Sequence, residues 1–231
     1  MDYRTKEEQV ADFLREGIIS GRFPRGARVK QVEIAQLLKT SVTPVREALK
    51  LLVAEGYLSG SSYKGATVVP FDVKASRETI NLRMLLEAEL VRAAVERLTS
   101  ADVDELQALA AEFEAAAAKR DSATARAVNY RFHKRIYAIA EQPQTFHFVQ
   151  ILWARYPFDV INRIEGRADR AAAEHSELLA QMIAGDADGA TLTTKRHIES
   201  GWEELRDSLE ESVGSLAAPT ASGTIAAALK A

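Results

Sequence analysis

Four histidines and no cysteine define what metal chemistry this 231-residue chain can support. His133, His147, His175 and His197 all fall in its second half. Without cysteine there is neither a disulfide framework nor a thiolate ligand, so a metal must be held by nitrogen and oxygen. Asn129 precedes His133 by one helical turn, and the two project from the same face. His175 and His197 lie in two later segments of helical pattern, and an all-α bundle brings facing helices together around one interior point. Three imidazoles and one oxygen donor suit a divalent transition metal. Spacing fits scattered core or surface histidines equally well. A metal-dependent enzyme would use the same imidazoles with an open position for water, and Glu174, beside His175, is its nearest base. No HExxH or comparable catalytic pattern accompanies them, and Glu174 reads more simply as a helix-surface carboxylate.

A second chemistry is carried by Ser41-Val-Thr-Pro-Val-Arg-Glu-Ala-Leu49. Ser41 or Thr43 supplies a hydroxyl N-cap, and Pro44 falls in the first turn, where a missing N–H costs little. At about 100° per residue, Val45, Ala48, Leu49 and Leu52 share one side, and Thr43, Arg46, Glu47 and Lys50 the other. One face packs while the other offers donors and positive charge to nucleic acid. Upstream, Val29 to Leu38 forms a second amphipathic segment, with Val32, Ala35 and Gln36 one turn apart. Two short helices and a tight turn suggest a helix-turn-helix.

Positioning these groups requires further elements. The spacing of Val10, Phe13, Leu14, Ile18 and Ile19 predicts a first helix over residues 5–20. Glu55-Gly56 stops the helix from Ser41, and Tyr57-Leu58 can pair with Ala66 to Val69 as a wing. Past Pro70-Phe71-Asp72 the pattern is helical, with segments near 76–98, 101–119, 122–140, 144–163, 167–184 and 187–209. The expected fold is mainly α: a winged helix-turn-helix of three helices plus a β-hairpin, then an antiparallel bundle of six to seven helices. The expected units are residues 1–70, a linker at 71–76, a helical domain at 77–211 and a loose tail at 212–231.

Net charge is −3, yet residues 1–70 hold 11 Lys and Arg against 8 Asp and Glu, and the remainder 19 against 25. The amino-terminal part is therefore the one suited to phosphates. No apolar run approaches the roughly 20 residues of a membrane span, and the polar start Met-Asp-Tyr-Arg-Thr-Lys is unlike a signal peptide. A cytoplasmic protein without membrane contact is expected.

The ordered run Gly21, Pro24, Gly26, Ala35, Leu37, Ser41, Thr43, Pro44, Val45, Arg46, Glu47, Ala48, Leu49, Leu52, Glu55, Gly56, Gly65 and Val68 resembles the GntR family of bacterial transcription regulators. Two positions depart from it: Val42 stands where an arginine is frequent, and Val32 where a basic residue is. The second domain is similar to the FCD domain of the FadR branch, through Arg83 and Glu87, Phe132-His133, Glu174-His175, Gly185-Asp186 and His197-Ile198. That resemblance implies a divalent metal, zinc or nickel, held by His133, His175, His197 and Asn129, the last replacing an aspartate.

It also implies a small carboxylate effector, with Arg83 and Tyr137 as candidate contacts. The fork of Arg83 suits a carboxylate, while its spacing equally suits an ion pair with Glu87. Tyr130, Tyr137 and Asn162 could line a pocket or belong to core or surface. The implied mechanism is a homodimeric repressor on a palindromic double-stranded operator. Arg28, Lys39 and Lys64 would contact phosphates, Arg46 bases, and Ser41, Thr43, Lys50 and Gly65 would support them. A helical domain that only dimerises, with no effector, is the third reading.

Overall fold

The computed structural model describes residues 5–61, 65–70, 76–161 and 164–217. Lys64, Asn162, residues 71–75 of the expected linker and residues 218–231 of the expected tail lie outside the described residues.

The first helix, α1 (Lys6–Ile19), starts at a capping box in which Thr5 and Glu8 each accept from the other's backbone N–H. Its buried face, including Val10, Leu14 and Ile18, packs on α3 (Val42–Ala54). Ser41 is the N-cap of α3 with extended backbone, but its hydroxyl makes no capping bond. Val45, Ala48, Leu49 and Leu52 are buried, so the packing face has the expected composition. The intervening α2 (Gln31–Leu37) differs from expectation. It buries Ile34 and Ala35, while Val32 and Leu37 stay 53% and 60% exposed. Seven residues make only two turns, so a shift of one position in the packing axis exchanges which apolar residues face inward.

The wing is larger than the expected hairpin. Strand β2 (Leu58–Ser61) pairs antiparallel with β3 (Gly65–Val68) in the register Leu58 to Val68 and Ser61 to Gly65. A third strand, β1 (Arg28–Val29), pairs with β3 on its other edge. Two residues carry no alternation that a sequence pattern can register, so only tertiary pairing reveals β1.

The bundle comprises α4 (Ser76–Arg97), α5 (Ser100–Ala118), α6 (Ser122–Ile139), α7 (Pro143–Ala154), α8 (Phe158–Ile161), α9 (Arg167–Ile183) and α10 (Ala187–Ala217). The segment expected as one helix over 144–163 is broken at Tyr156-Pro157, because proline lacks the N–H and disfavours α geometry in the residue before it. At the other end, α10 continues to Ala217, beyond the expected stop at Leu209. Only Gly214 stands in that stretch, at a cost of about 1 kcal/mol relative to alanine, and the next proline is Pro219. Among the described residues no helix is long and apolar enough to cross a membrane.

Helix α4 packs against α6, α7 and α10, and α5 against α6 and α9. One apolar cluster runs through both halves of the molecule, joining Leu14 and Leu49 to Leu90, Phe132, Trp153 and Leu178. Polar ties cross the same boundary: Lys134 Nζ donates to Asp12 (2.8 Å), Arg126 Nε to the Ser20 carbonyl (2.6 Å) and Tyr57 Oη to the Gln150 carbonyl (2.8 Å). Within the winged helix, Arg15 forks onto Glu55 through Nε (2.8 Å) and Nη2 (2.6 Å), with both side chains buried. Removing one partner of such a pair strands the other in low dielectric, at a cost of about 3–5 kcal/mol. Glu55→Ala is expected to lower unfolding free energy by that order in urea denaturation, and a loss below about 1 kcal/mol would show the pair to be dispensable.

Candidate functional site

His133 on α6, His175 on α9 and His197 on α10 converge in the bundle, each offering a ring nitrogen within 4.8 Å of the others. Each helix supplies one residue, so the cluster exists only when all three are packed. The Nε2 atoms of His133 and His175 are 3.2 Å apart. Two nitrogens bound to one ion at roughly 2.0–2.1 Å would be separated by about 2.9–3.4 Å, so the spacing matches shared ligation. Phe132 and Phe113 pack against the His175 ring at 4.7 and 4.8 Å between centroids.

Burial holds these imidazoles neutral. Desolvation pulls His133 from 6.5 down to about 4, a shift that Glu87 opposes and Arg83 reinforces. His175 and His197 are displaced well below the usual range, first by burial and then by neighbouring rings and Arg167. Neutral imidazole is the form that ligates a metal, and the donor set therefore fits a divalent transition ion. The buried Nδ1 atoms of His133 and His175 have no hydrogen-bond partner, whereas His197 Nδ1 lies 2.6 Å from Glu174 Oε2. A carboxylate on the far nitrogen of a ligating histidine fixes its tautomer and ring orientation. His147 is exposed on α7, outside the cluster.

Two buried arginines flank the histidines. Arg83 Nε donates to Glu87 Oε1 (2.6 Å), and its guanidinium lies 4.5 Å over the Tyr156 ring. Glu87 also accepts from Tyr137 Oη (2.6 Å) and Trp153 Nε1 (3.0 Å). Arg167, the first residue of α9, donates through Nη2 to Glu174 Oε2 (3.0 Å) and reaches His197 Nδ1 at 3.3 Å. Two small cavities, of about 30 and 20 Å³, share Arg83, Asn129, Phe158 and His197 in their walls. The first adds Arg167 and Tyr156, the second His133 and Ile19 of α1. A wider groove of about 450 Å³, between the α5–α6 turn and the start of α9, contains none of the predicted site residues.

On the winged helix, Ser41, Thr43 and Lys50 are exposed along α3, and Lys50 Nζ donates to Glu47 (2.9 Å). Arg46 is half-buried, its Nε 3.4 Å from Gln31 Oε1 on α2. Lys39 turns the chain between α2 and α3 with φ of 51°, and Arg28 is exposed on β1. Gly65 opens β3. These residues occupy the helix-turn-helix and the wing.

A family profile described as "Bacterial regulatory proteins, gntR family" matches residues 6–68, and one described as "FCD domain" matches residues 78–200. The "HTH-type transcriptional regulator McbR" of Escherichia coli (strain K12) is 34% identical over 78% of this chain and 84% of that protein. The chain belongs to the gntR family. It is a transcriptional regulator with an FCD domain, and not an enzyme. A Paenarthrobacter nicotinovorans protein named "Probable D-xylose utilization operon transcriptional repressor" is 28% identical over 84% of this chain and 86% of its own length. The solved structure titled "E. coli McbR/YncC" superposes with a TM-score of 0.76 at 29% identity, covering 89% of this chain and 99% of that one.

Several assignments in this regulator change. Tyr137 lines neither cavity; its hydroxyl is spent on Glu87, so it supports Arg83 from behind. Arg83 is both cavity wall and ion-pair partner, which unites its two sequence readings. Asn129 is at the cavity wall beside His133 and His197. Glu174 is no surface carboxylate, being bound to His197, Arg167 and Ser200. Arg167, Tyr156 and Phe158 were missed. Pro157 between the two aromatics was the available signal, whereas Arg167 looks like any helix-start residue.

The displaced histidines predict an acid sensitivity of the metal-free regulator. In the unfolded chain imidazoles take up protons near pH 6.5, and in the fold His133 does so only near 4. The unfolded state therefore binds more protons between these values, and stability falls as pH drops through that window. The urea midpoint of chelator-treated protein is expected to be lower at pH 5 than at pH 7; equal midpoints would place the imidazoles in solvent.

Proposed function

We propose that this regulator is a repressor whose operator binding is modulated by a small organic acid held at a divalent metal, zinc or nickel, on His133, His175 and His197. The observation carrying this reading is the convergence of three neutral imidazoles beside cavities walled by Arg83, Asn129 and Arg167. Asn129 would add a neutral oxygen donor. The metal would supply a Lewis-acidic point of attachment for the acid, while Glu174 holds His197 and Arg83 presents its guanidinium to the cavity. Stoichiometric zinc or nickel in replete protein, lost in His133→Ala and His197→Ala, is the expected result of metal analysis. A metal-free parent overturns the site.

Operator recognition rests on α3 in the major groove of a palindromic half-site and the wing beside it, with Arg28 and Lys39 toward phosphates and Thr43, Arg46 and Lys50 toward bases. Two heads require a homodimer, and the exposed Leu82 and Leu85 on α4 with Phe148 on neighbouring α7 offer an apolar contact for it. In fluorescence anisotropy at moderate salt, Arg46→Ala and Lys50→Ala should each weaken operator binding about tenfold. Parent-like affinity in both would move the DNA face elsewhere.

Coupling between the cavity and the wing has a physical route. Arg25 donates to the Val69 carbonyl beyond β3 (2.9 Å) and to the Tyr156 carbonyl (2.7 Å), and Tyr156 lies under Arg83. An acid that displaces Tyr156 or Phe158 would move the wing's anchor, and its effect equals its differential affinity for the two arrangements. In a screen of organic acids on metal-loaded protein, Arg25→Ala should retain acid binding by thermal shift and lose the change in operator affinity. A response equal to the parent's rules the route out; a helical domain that only dimerises would show no thermal shift at all.

A further inference from the structure

We infer that Arg167 and Gly201 form an anion-selecting cradle beside the metal, restricting the effector to small molecules with a negatively charged carboxylate, such as short monocarboxylates. This inference rests on the metal reading above and adds the residues that decide specificity.

Charge balance is the first argument. His133, His175, His197 and Asn129 are all neutral donors, so a divalent ion on them keeps its full charge inside the bundle. The nearest carboxylates are already committed: Glu87 to Arg83, Tyr137 and Trp153, and Glu174 to Arg167, His197 and Ser200. An uncompensated charge in low dielectric is costly, and the remaining charge must come from a ligand.

Arg167 is the second. It is 4% exposed and lines the 30 Å³ cavity, and its Nη1 is buried without a hydrogen-bond partner. The nearest acceptor charge on that nitrogen is Glu204 Oε1 at 3.6 Å, too long for a hydrogen bond. A buried guanidinium nitrogen facing a cavity beside a metal-ligating histidine is a ready donor to a carboxylate oxygen.

Gly201 is the third. It sits within α10, where glycine costs about 1 kcal/mol relative to alanine, and it too lines this cavity. A Cβ there would stand 3.0 Å from Ile161 Cδ1, 3.4 Å from Tyr156 Oη and 3.6 Å from Arg167 Nη2. Its missing side chain keeps open the space in front of Arg167. Since a water needs about 10–15 Å³ of such volume, a cavity of about 30 Å³ takes a carboxylate group and little more, so any larger part of the ligand must lie elsewhere.

The test uses full-length protein loaded with cobalt(II), whose visible bands report both metal uptake and anion binding, titrated with acetate and with its neutral isostere acetamide. In the parent, acetate should shift the bands saturably and acetamide should not; an equal response to both overturns the inference. Arg167→Gln and Arg167→Lys should keep cobalt(II) and lose acetate affinity about tenfold or more. Gly201→Ala removes a helix-destabilising glycine and leaves every charge in place. It should also keep cobalt(II) and weaken acetate, and it decides the matter should the Arg167 variants fail to fold. Cobalt(II) uptake with parent-like acetate affinity in the variants that fold overturns the cradle while leaving the metal site standing. Absence of cobalt(II) uptake by the parent instead overturns the metal reading itself, and the cradle with it.

Discussion

Charge cannot be left unpaired inside a helical bundle, and this bundle buries two guanidinium groups next to three imidazoles. Arg83 and Arg167 are each about 4% exposed, and each has its own glutamate. Most of the site's architecture follows from satisfying those two pairs. Glu87 has oxygen lone pairs beyond those used by Arg83, and Tyr137 and Trp153 fill them. The flat faces of the Arg83 guanidinium are covered by Tyr156 at 4.5 Å and Phe158 at 5.4 Å. Because the arginines are already neutralised, little remains to stabilise a proton on the histidines, and desolvation keeps them neutral.

The same pairing logic ties the two domains into one body. Arg15 and Glu55 close the winged helix on itself, and Asp12, shared between Arg15 and Lys134, extends that network into α6. The apolar core is continuous across the boundary. A winged helix docked this way is not a bead on a tether: Ile19 of α1 is part of a cavity wall, and the loop before β1 holds the Tyr156 carbonyl through Arg25. The break at Pro157 is what makes this possible. An uninterrupted helix would have its carbonyls committed to its own ladder, whereas the break leaves the Tyr156 carbonyl available to Arg25 and puts Tyr156 and Phe158 on the cavity.

Much of the fold was readable in residue order because it depends on local periodicity. The packing face of α3, the capped start of α1 and most helix boundaries follow from 3.6-residue spacing and from cap and breaker residues. The errors lie where local signals are too short or compete. Strand β1 has two residues, α2 has two turns, and Pro157 interrupts an otherwise regular helical pattern.

The sequence by itself determined the family, the two-domain order and the identity of the histidines that matter, since an ordered motif is preserved in the chain whatever its shape. Only the tertiary structure decided that these histidines meet, that Glu174 orients one of them, that Tyr137 serves Glu87, and that Arg167 has a nitrogen to spare. The physical reason is separation along the chain. Forty-two residues lie between His133 and His175, and thirty between Arg167 and His197. No local rule specifies how helices that far apart align, and hydrogen-bond accounting becomes possible only once packing has excluded water from each group.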